Sequence, residues 1–391
     1  MSGTQWPIWP QFPADEIAAA SAVLASGKVN YWTGEEGRHF EHEFAAWCGT
    51  SRAIALHNGT LALELALRAL NIGPGDEVVV TPRSFIASAS CVVNVGARCV
   101  FADVDADSQN LTAASIAAVL TPRCKAIIPV HLAGWPCDMP AIMALAGQQG
   151  LAVIEDCAQA HGAALDGKRV GSFGNAAAWS FCQDKIISTA GEGGMLTTSD
   201  DALWQRAWSY KDHGKSYQAV YQRQHEPGYR WLHESIGSNW RMLEVQAAVG
   251  RIQLQKLETW QAQRTTLAML WVSRLARWSC LRIALPEPGH LHAWYKFHVF
   301  IRPSQLKAAW TRDQILQAIT ARGVPCFTGG CPEIYREKAF LDRGYDTIKR
   351  LPVARELGET SLMFLVHPTL TTTHVSMMAD VVDQVLNEAC R

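Results

Sequence analysis

The chain has 391 residues, 48% of them hydrophobic and 18% charged, with a formal net charge of -1. That length suits one large and one smaller unit, and the even charge balance excludes the basic footprint of a nucleic-acid or anionic-membrane binder. No apolar run approaches the roughly 20 residues of a membrane helix, and Met1–Pro7 has neither the basic nor the apolar stretch of a secretory leader, so a cytoplasmic protein is expected.

Residues 53–198 alternate short β-rich runs with helical patterns. The predicted strands are Ala53–His57, Val78–Thr81, Arg98–Phe101, Ala126–His131, Ala152–Asp156, Ala176–Phe181 and Gly194–Thr198. Between the first two, Thr60–Leu70 reads as a helix that starts on a Thr cap and stops before Asn71-Ile72-Gly73-Pro74-Gly75. Near-continuous apolar strands separated by helices argue for a mainly parallel sheet buried on both faces. Ligands of such sheets gather at the carboxyl ends of the strands, where His57, Thr81, His131, Asp156 and Ser180 all fall.

Residues 210–234 are polar and aromatic without a sustained period, the kind of long loop that is usually functional. A long helix near Met242–Leu275 then leads to a strand near Trp294–Ile301 and a helix near Arg312–Arg322. A large domain over 1–250 and a smaller one over 251–391 are expected. The eleven cysteines are scattered without C-x-x-C spacing, so neither a zinc site nor a disulfide framework is expected, and Cys48, Cys91, Cys99, Cys157 and Cys182 read as small reduced hydrophobes. Of the fifteen tryptophans, Trp47 and Trp260 read as helical core. Trp32, Trp135, Trp231 and Trp240 sit in loops, where an amphipathic ring suits a sugar site and interface packing equally.

The chemistry concentrates at two strand ends. Leu151–Ile154 runs into Glu155-Asp156, followed by Cys157-Ala158-Gln159; Ala176–Ser180 runs through Phe181 to Lys185 and the turn Gly191-Glu192-Gly193-Gly194. A carboxylate on one strand end with a lysine and a hydroxyl on another is what pyridoxal phosphate requires. The carboxylate keeps the pyridine nitrogen protonated, the lysine bonds the aldehyde, and the hydroxyl helps hold the phosphate.

These motifs resemble the DegT/DnrJ/StrS family of pyridoxal-phosphate-dependent sugar aminotransferases over most of the chain. The resemblance runs through Gly34, Phe40-Glu41, Asn58-Gly59-Thr60, Gly73–Val78, Thr81–Phe85, Ala126–Gly134, Ile154–Ala160, Ser180 with Lys185, Gly191–Gly194 and Gly237–Ala248. It implies the aspartate-aminotransferase (type I) α/β fold: a mainly parallel central sheet with a smaller C-terminal α/β domain. By this resemblance Lys185 is the catalytic lysine, Gly59, Thr60 and Ser180 hold the phosphate, and Phe85 stacks on the ring. Asp156 meets the ring nitrogen, Gln159 lies beside the ring hydroxyl, and Asn239 reaches the phosphate of the neighbouring subunit in a homodimer with shared active sites. An ordinary cap at Thr60, a core role for Phe85 and a turn role for Asn239 are the plainer readings.

Some relatives carry histidine at the lysine position and dehydrate, so Lys185 argues for transamination. The implied reaction aminates a keto or aldehyde sugar from L-glutamate or glutamine, in amino-sugar synthesis for surface polysaccharide or lipopolysaccharide. The sugar is either nucleotide-linked or an acid sugar such as 8-oxo-3-deoxy-octulosonate, whose relatives the 210–235 segment resembles. Trp32, Lys215, Arg230 and Arg241 are the candidate substrate residues, since a carboxylate or a diphosphate calls on the same cations. No metal, nucleic acid or membrane enters this reading. A sugar dehydratase and a non-enzymatic regulator with the same fold are the alternatives, and the sequence does not name the sugar or the carbon aminated.

Overall fold

Seven strands line up because each is a short apolar run bracketed by turn residues: β1 (Arg52–Leu56), β2 (Glu77–Val80), β3 (Arg98–Phe101), β4 (Cys124–Ile128), β5 (Ala152–Asp156), β6 (Ala176–Ser180) and β7 (Gly194–Thr198). The computed structural model describes residues 6–391, so most of the Met1–Pro7 stretch lies outside the described residues. The strands are ordered β1-β7-β6-β5-β4-β2-β3. Pairing is parallel from β3 through β2, β4 and β5 to β6, whereas β7 runs antiparallel to both β6 and β1. The sheet is thus mainly parallel, as expected, with one reversed strand.

Both faces are covered, which is why β2, β6 and β7 are buried at every position. Ile54, Leu56, Val78, Val80, Ile128 and Ile154 pack with Leu63 and Leu67 of a helix on one face. Alternate residues such as Ala53, Ala55, Ala177 and Trp179 pack on Phe40 and Phe44 on the other. The helices used below are α1 (Ala14–Ser26), α2 (Glu36–Cys48), α3 (Gly59–Ala69), α4 (Ala87–Asn94), α5 (Asp201–Lys211), α6 (Glu244–Leu275), α7 (Arg312–Ala321) and α8 (Thr372–Ala389). The cap of α3 is Asn58, not Thr60: the Leu61 N–H donates to the Asn58 side chain at 2.9 Å. An asparagine in extended conformation accepts that bond directly, and the Thr60 hydroxyl is left for other partners.

The 32-residue α6 carries the chain to a second, antiparallel sheet ordered β8 (Leu281–Arg282), β9 (Phe297–Ile301) and β10 (Ser361–Phe364). Its core joins Trp271 of α6 with Phe297, Val299, Phe364, Ile315 of α7 and Val382 and Leu386 of α8. One expectation fails here. Cys280 and Cys390 form a disulfide across 110 residues of sequence. Spacing could not reveal it, because the pair meets only where Leu306 bridges to Cys390 and the Arg302 N–H bonds the Cys280 carbonyl at 2.8 Å. Among the described residues no helix is long and apolar enough to cross a membrane.

Candidate active site

The carboxyl edge of the sheet brackets a cavity of about 450 Å³ lined by Asn58, Gly59, Thr60, Asp156, Ser180 and Lys185 among others. Its floor is made by close approach. A Cβ on Gly59 would lie 2.7 Å from the Ser180 Cβ and 3.1 Å from the Trp179 carbonyl oxygen, so only glycine lets the start of α3 rest on the end of β6. The first turn of α3 therefore turns its N–H groups, the positive end of its dipole and the Thr60 hydroxyl toward a space suited to an anion. Ser180 closes the opposite side, its Oγ accepting from the Cys182 N–H at 3.4 Å.

Asp156 ends β5 at the back of the cavity and is 4% exposed. Ser88 of α4 donates to one carboxylate oxygen at 2.7 Å and the Ala158 N–H to the other at 3.1 Å. Ser84 in turn faces Ser88 at 3.0 Å. Burial pushes the Asp156 carboxyl up, against the pull of Ser88, Ala158, Lys185 and His131. The site is thus an ionisable group whose negative form awaits a positive partner. Behind it His131 meets Glu155 at 3.1 Å, and Glu155 accepts the N–H groups of Gly171, Phe173 and Gly174 at 2.8 Å each. His131, Glu155 and Cys157 converge as metal ligands would. However, the Cys137 N–H occupies His131 Nδ1 at 3.0 Å, and the Glu155 oxygens are engaged, so the cluster is satisfied without an ion.

Lys185 stands on the turn after β6. Its N–H bonds the Cys182 carbonyl at 3.0 Å, and its own carbonyl accepts the Trp9 indole N–H at 2.7 Å. The Nζ lies 3.3 Å from both Asp184 Oδ1 and the Tyr295 hydroxyl, which itself donates to Asp184. Burial, with the Asp184 charge next, holds the Tyr295 phenol well above its usual range, so it remains a donor. Burial alone would push the Asp184 carboxyl up, but Lys185 and Tyr295 hold it below the usual range. Gln159 accepts the Ala133 N–H at 2.9 Å through Oε1, which leaves its amide N–H groups for the cavity. Phe85 is 66% exposed on the wall. Ser84, Phe85, Gln159, Asp184 and Lys185 also border a second cavity of about 700 Å³, which continues along Tyr295, Lys296, His298, Phe327, Gly329 and Gly330.

The structure therefore brings Gly59, Thr60, Phe85, Asp156, Gln159, Ser180 and Lys185 to one cavity. It does not bring the remaining candidates there within this chain. Arg241 and Lys215 bind Asp212 at 2.6 and 3.2 Å, Lys215 lies 4.0 Å over the Trp32 ring, and Arg230 and Asn239 are exposed. Cys182, read as core, is half-buried on the cavity wall. Sequence reasoning missed Ser88, Asp184 and Tyr295. Ser88 carried a signal, one helical turn beyond Ser84; Tyr295 carried none, being 110 residues from Lys185.

A flat nitrogen heterocycle bearing a phosphate fits these residues: an anion cradle at α3, a buried carboxylate lacking a cation, and an amine between them. The model of the DegT/DnrJ/EryC1/StrS aminotransferase family matches residues 10–385. The chain is 38% identical to a UDP-N-acetyl-3-dehydro-alpha-D-glucosamine 3-aminotransferase of Acidithiobacillus ferrooxidans, covering 95% of this chain and 94% of that one. It is 36% identical to a GDP-perosamine synthase of Caulobacter vibrioides, covering 91% and 92%. The crystal structure of an aminotransferase from Psychrobacter cryohalolentis superposes with a TM-score of 0.97 at 55% identity, over 98% of this chain and 99% of that one.

Proposed function

We propose, from the premise that this chain belongs to the DegT/DnrJ/EryC1/StrS aminotransferase family, that it aminates the keto carbon of a nucleotide-linked hexose with L-glutamate or glutamine as donor. The chain is an aminotransferase of the aspartate-aminotransferase fold, and its cofactor is pyridoxal phosphate. The bound cofactor supplies an aldehyde for the amine and a ring that withdraws electrons from the adjacent C–H bond. Asp156 holds the proton on the ring nitrogen, since its buried carboxylate has no other cation in contact. Gly59, Thr60 and Ser180 bind the phosphate, Gln159 donates its amide to the ring hydroxyl, and Phe85 covers one ring face. Lys185 Nζ is the amine that anchors the cofactor and, once displaced, carries a proton on and off the substrate carbon; Tyr295 and Asp184 fix where that nitrogen rests.

One observation carries this reading: Lys185 borders both the Asp156 cavity and the larger one, which supports a cofactor and a sugar sharing a single amine. UDP- and GDP-linked sugars named for the relatives favour a nucleotide sugar over a free acid sugar. We also infer a homodimer with shared sites. Asn239 lies away from the Lys185 cavity of its own chain, and neighbouring Tyr229, Trp231 and Ile236 are 73%, 80% and 92% exposed, a surface that a second copy would cover. The large domain over 1–250, the smaller one over 251–391, a cytoplasmic location and a place in surface-polysaccharide synthesis complete the proposal.

The test is incubation of the loaded enzyme with L-glutamate and a UDP- or GDP-linked keto-hexose, with the product weighed by mass spectrometry. Formation of the amino sugar supports the reading. Amination of 8-oxo-3-deoxy-octulosonate alone would replace it with the acid-sugar alternative.

A further inference from the structure

On and behind the wall of the larger cavity lies a set of donors that are only partly matched by acceptors. Arg83, just after β2, is 1% exposed and has no carboxylate partner among the described residues. Its Nε donates to Gln109 Oε1 at 2.8 Å and its Nη2 to Ser361 Oγ at 3.1 Å, while Nη1 is buried without a partner. A guanidinium can only donate, so Gln109 must turn its oxygen to Arg83 and its amide nitrogen to His298 Nδ1, 2.8 Å away. The His298 proton then sits on Nε2, which is likewise buried and unpartnered on a residue that borders the cavity. Lys296 is two residues earlier and shares that face. It borders the same cavity, 4.8 Å from the Tyr295 ring centroid, with no acceptor for its Nζ among the described residues.

Two carboxylates also border this cavity. Asp184 is already engaged by Lys185 and Tyr295, and Glu337 is exposed and meets Cys331 at 3.6 Å. Burial, with Arg264 and Lys185 adding to it against Asp184, pulls the Lys296 amine down to about 8. Burial, then Arg83 and Lys296, pulls His298 down to about 3, so it is a neutral donor. Buried cationic and N–H donors without acceptors are costly unless a ligand completes them.

We propose that Lys296 and His298, with Arg83 oriented behind them through Gln109, form a subsite for a carboxylate of a substrate. The inference rests on the aminotransferase reading, because it places the carboxylate in the cavity that Lys185 serves. Two carboxylates meet the description: that of the amino-acid donor, and that of a hexose oxidised to a uronic acid. Both half-reactions use this cavity, so the chemistry of the subsite is shared.

Titration calorimetry on the cofactor-loaded enzyme separates the sources, with glutarate, UDP-glucuronate and UDP-glucose as probes. Lys296→Met should weaken glutarate at least about tenfold if the subsite serves the donor. It should weaken UDP-glucuronate by that factor, and leave UDP-glucose unchanged, if it serves the sugar. Lys296→Arg keeps the charge and should retain most of the binding; His298→Leu should repeat the loss. Less than tenfold weakening of both carboxylates in Lys296→Met, or no binding of either to the wild type, overturns the proposal. None of these titrations needs turnover, whereas failure of the sugar-amination reading appears as absence of amine product with the wild type.

Discussion

The Lys185 cavity and the 212–241 segment are both rich in charged and aromatic side chains, yet they are built in opposite ways. In the cavity several polar groups are fixed by strand ends or helix starts, from Gly59 against Ser180 to Ser88 on Asp156. In the segment, cations are spent on an internal hub at Asp212, while Tyr229, Trp231, Ile236 and Asn239 face outward. The first region is walled by this chain's own side chains, and the second presents its large side chains to the outside. Chemistry is fixed by the sheet edge; the exposed surface beside it is what the proposed homodimer would cover.

The largest effect is expected at the lysine. Lys185→Ala should lower turnover by at least about 10²–10⁴-fold with an unchanged circular dichroism spectrum; retained activity would dissolve the distinction between the two regions. Asp156→Asn comes next, slowing donor-dependent conversion of the cofactor by on the order of 10²-fold, read by stopped-flow absorbance. Its effect on the cofactor-free protein has the opposite sign. Because burial raises the native Asp156 carboxyl, the stability it contributes is present at low pH and lost as pH rises through the native value. Asp156→Asn should therefore raise the melting temperature of the cofactor-free protein at pH 7, by about 1 °C for each kcal/mol relieved in a chain of this length.

Asn239→Ala probes the other region. It should raise the cofactor dissociation constant by about tenfold, as loss of one hydrogen bond to a charged group does. Mixed with Lys185→Ala subunits at limiting cofactor, where each variant alone is impaired, it should regain activity, since each mixed dimer then has one site free of both lesions. No recovery on mixing would place the site within a single chain and end the comparison. Tyr295→Phe should do least, slowing turnover by roughly tenfold or less while leaving cofactor affinity unchanged, because it only sets where Lys185 Nζ rests.

What was legible in the sequence follows the same division. The placement of Asp156 and Ser180 at one cavity could be read because each closes an apolar run, and that of Lys185 because it stands between that run and the Gly191–Gly194 turn. The α3 cap was misplaced by two residues, since Asn58 and Thr60 both offer a side-chain oxygen and only the extended backbone at Asn58 decides between them. Tyr295, the Cys280–Cys390 bridge and the Arg83–Gln109–His298 relay were illegible because each joins residues far apart in sequence. Composition supplied Lys215 and Arg241 as cations without saying which carboxylate they meet; within this chain it is Asp212.

The central claim is that one amine, on the turn after β6, serves both cavities. Borohydride reduction of the cofactor-loaded enzyme, followed by peptide mapping, tests it directly. The account predicts a single cofactor-labelled peptide carrying Lys185. A label on Lys211, Lys215 or Lys296 instead would contradict it.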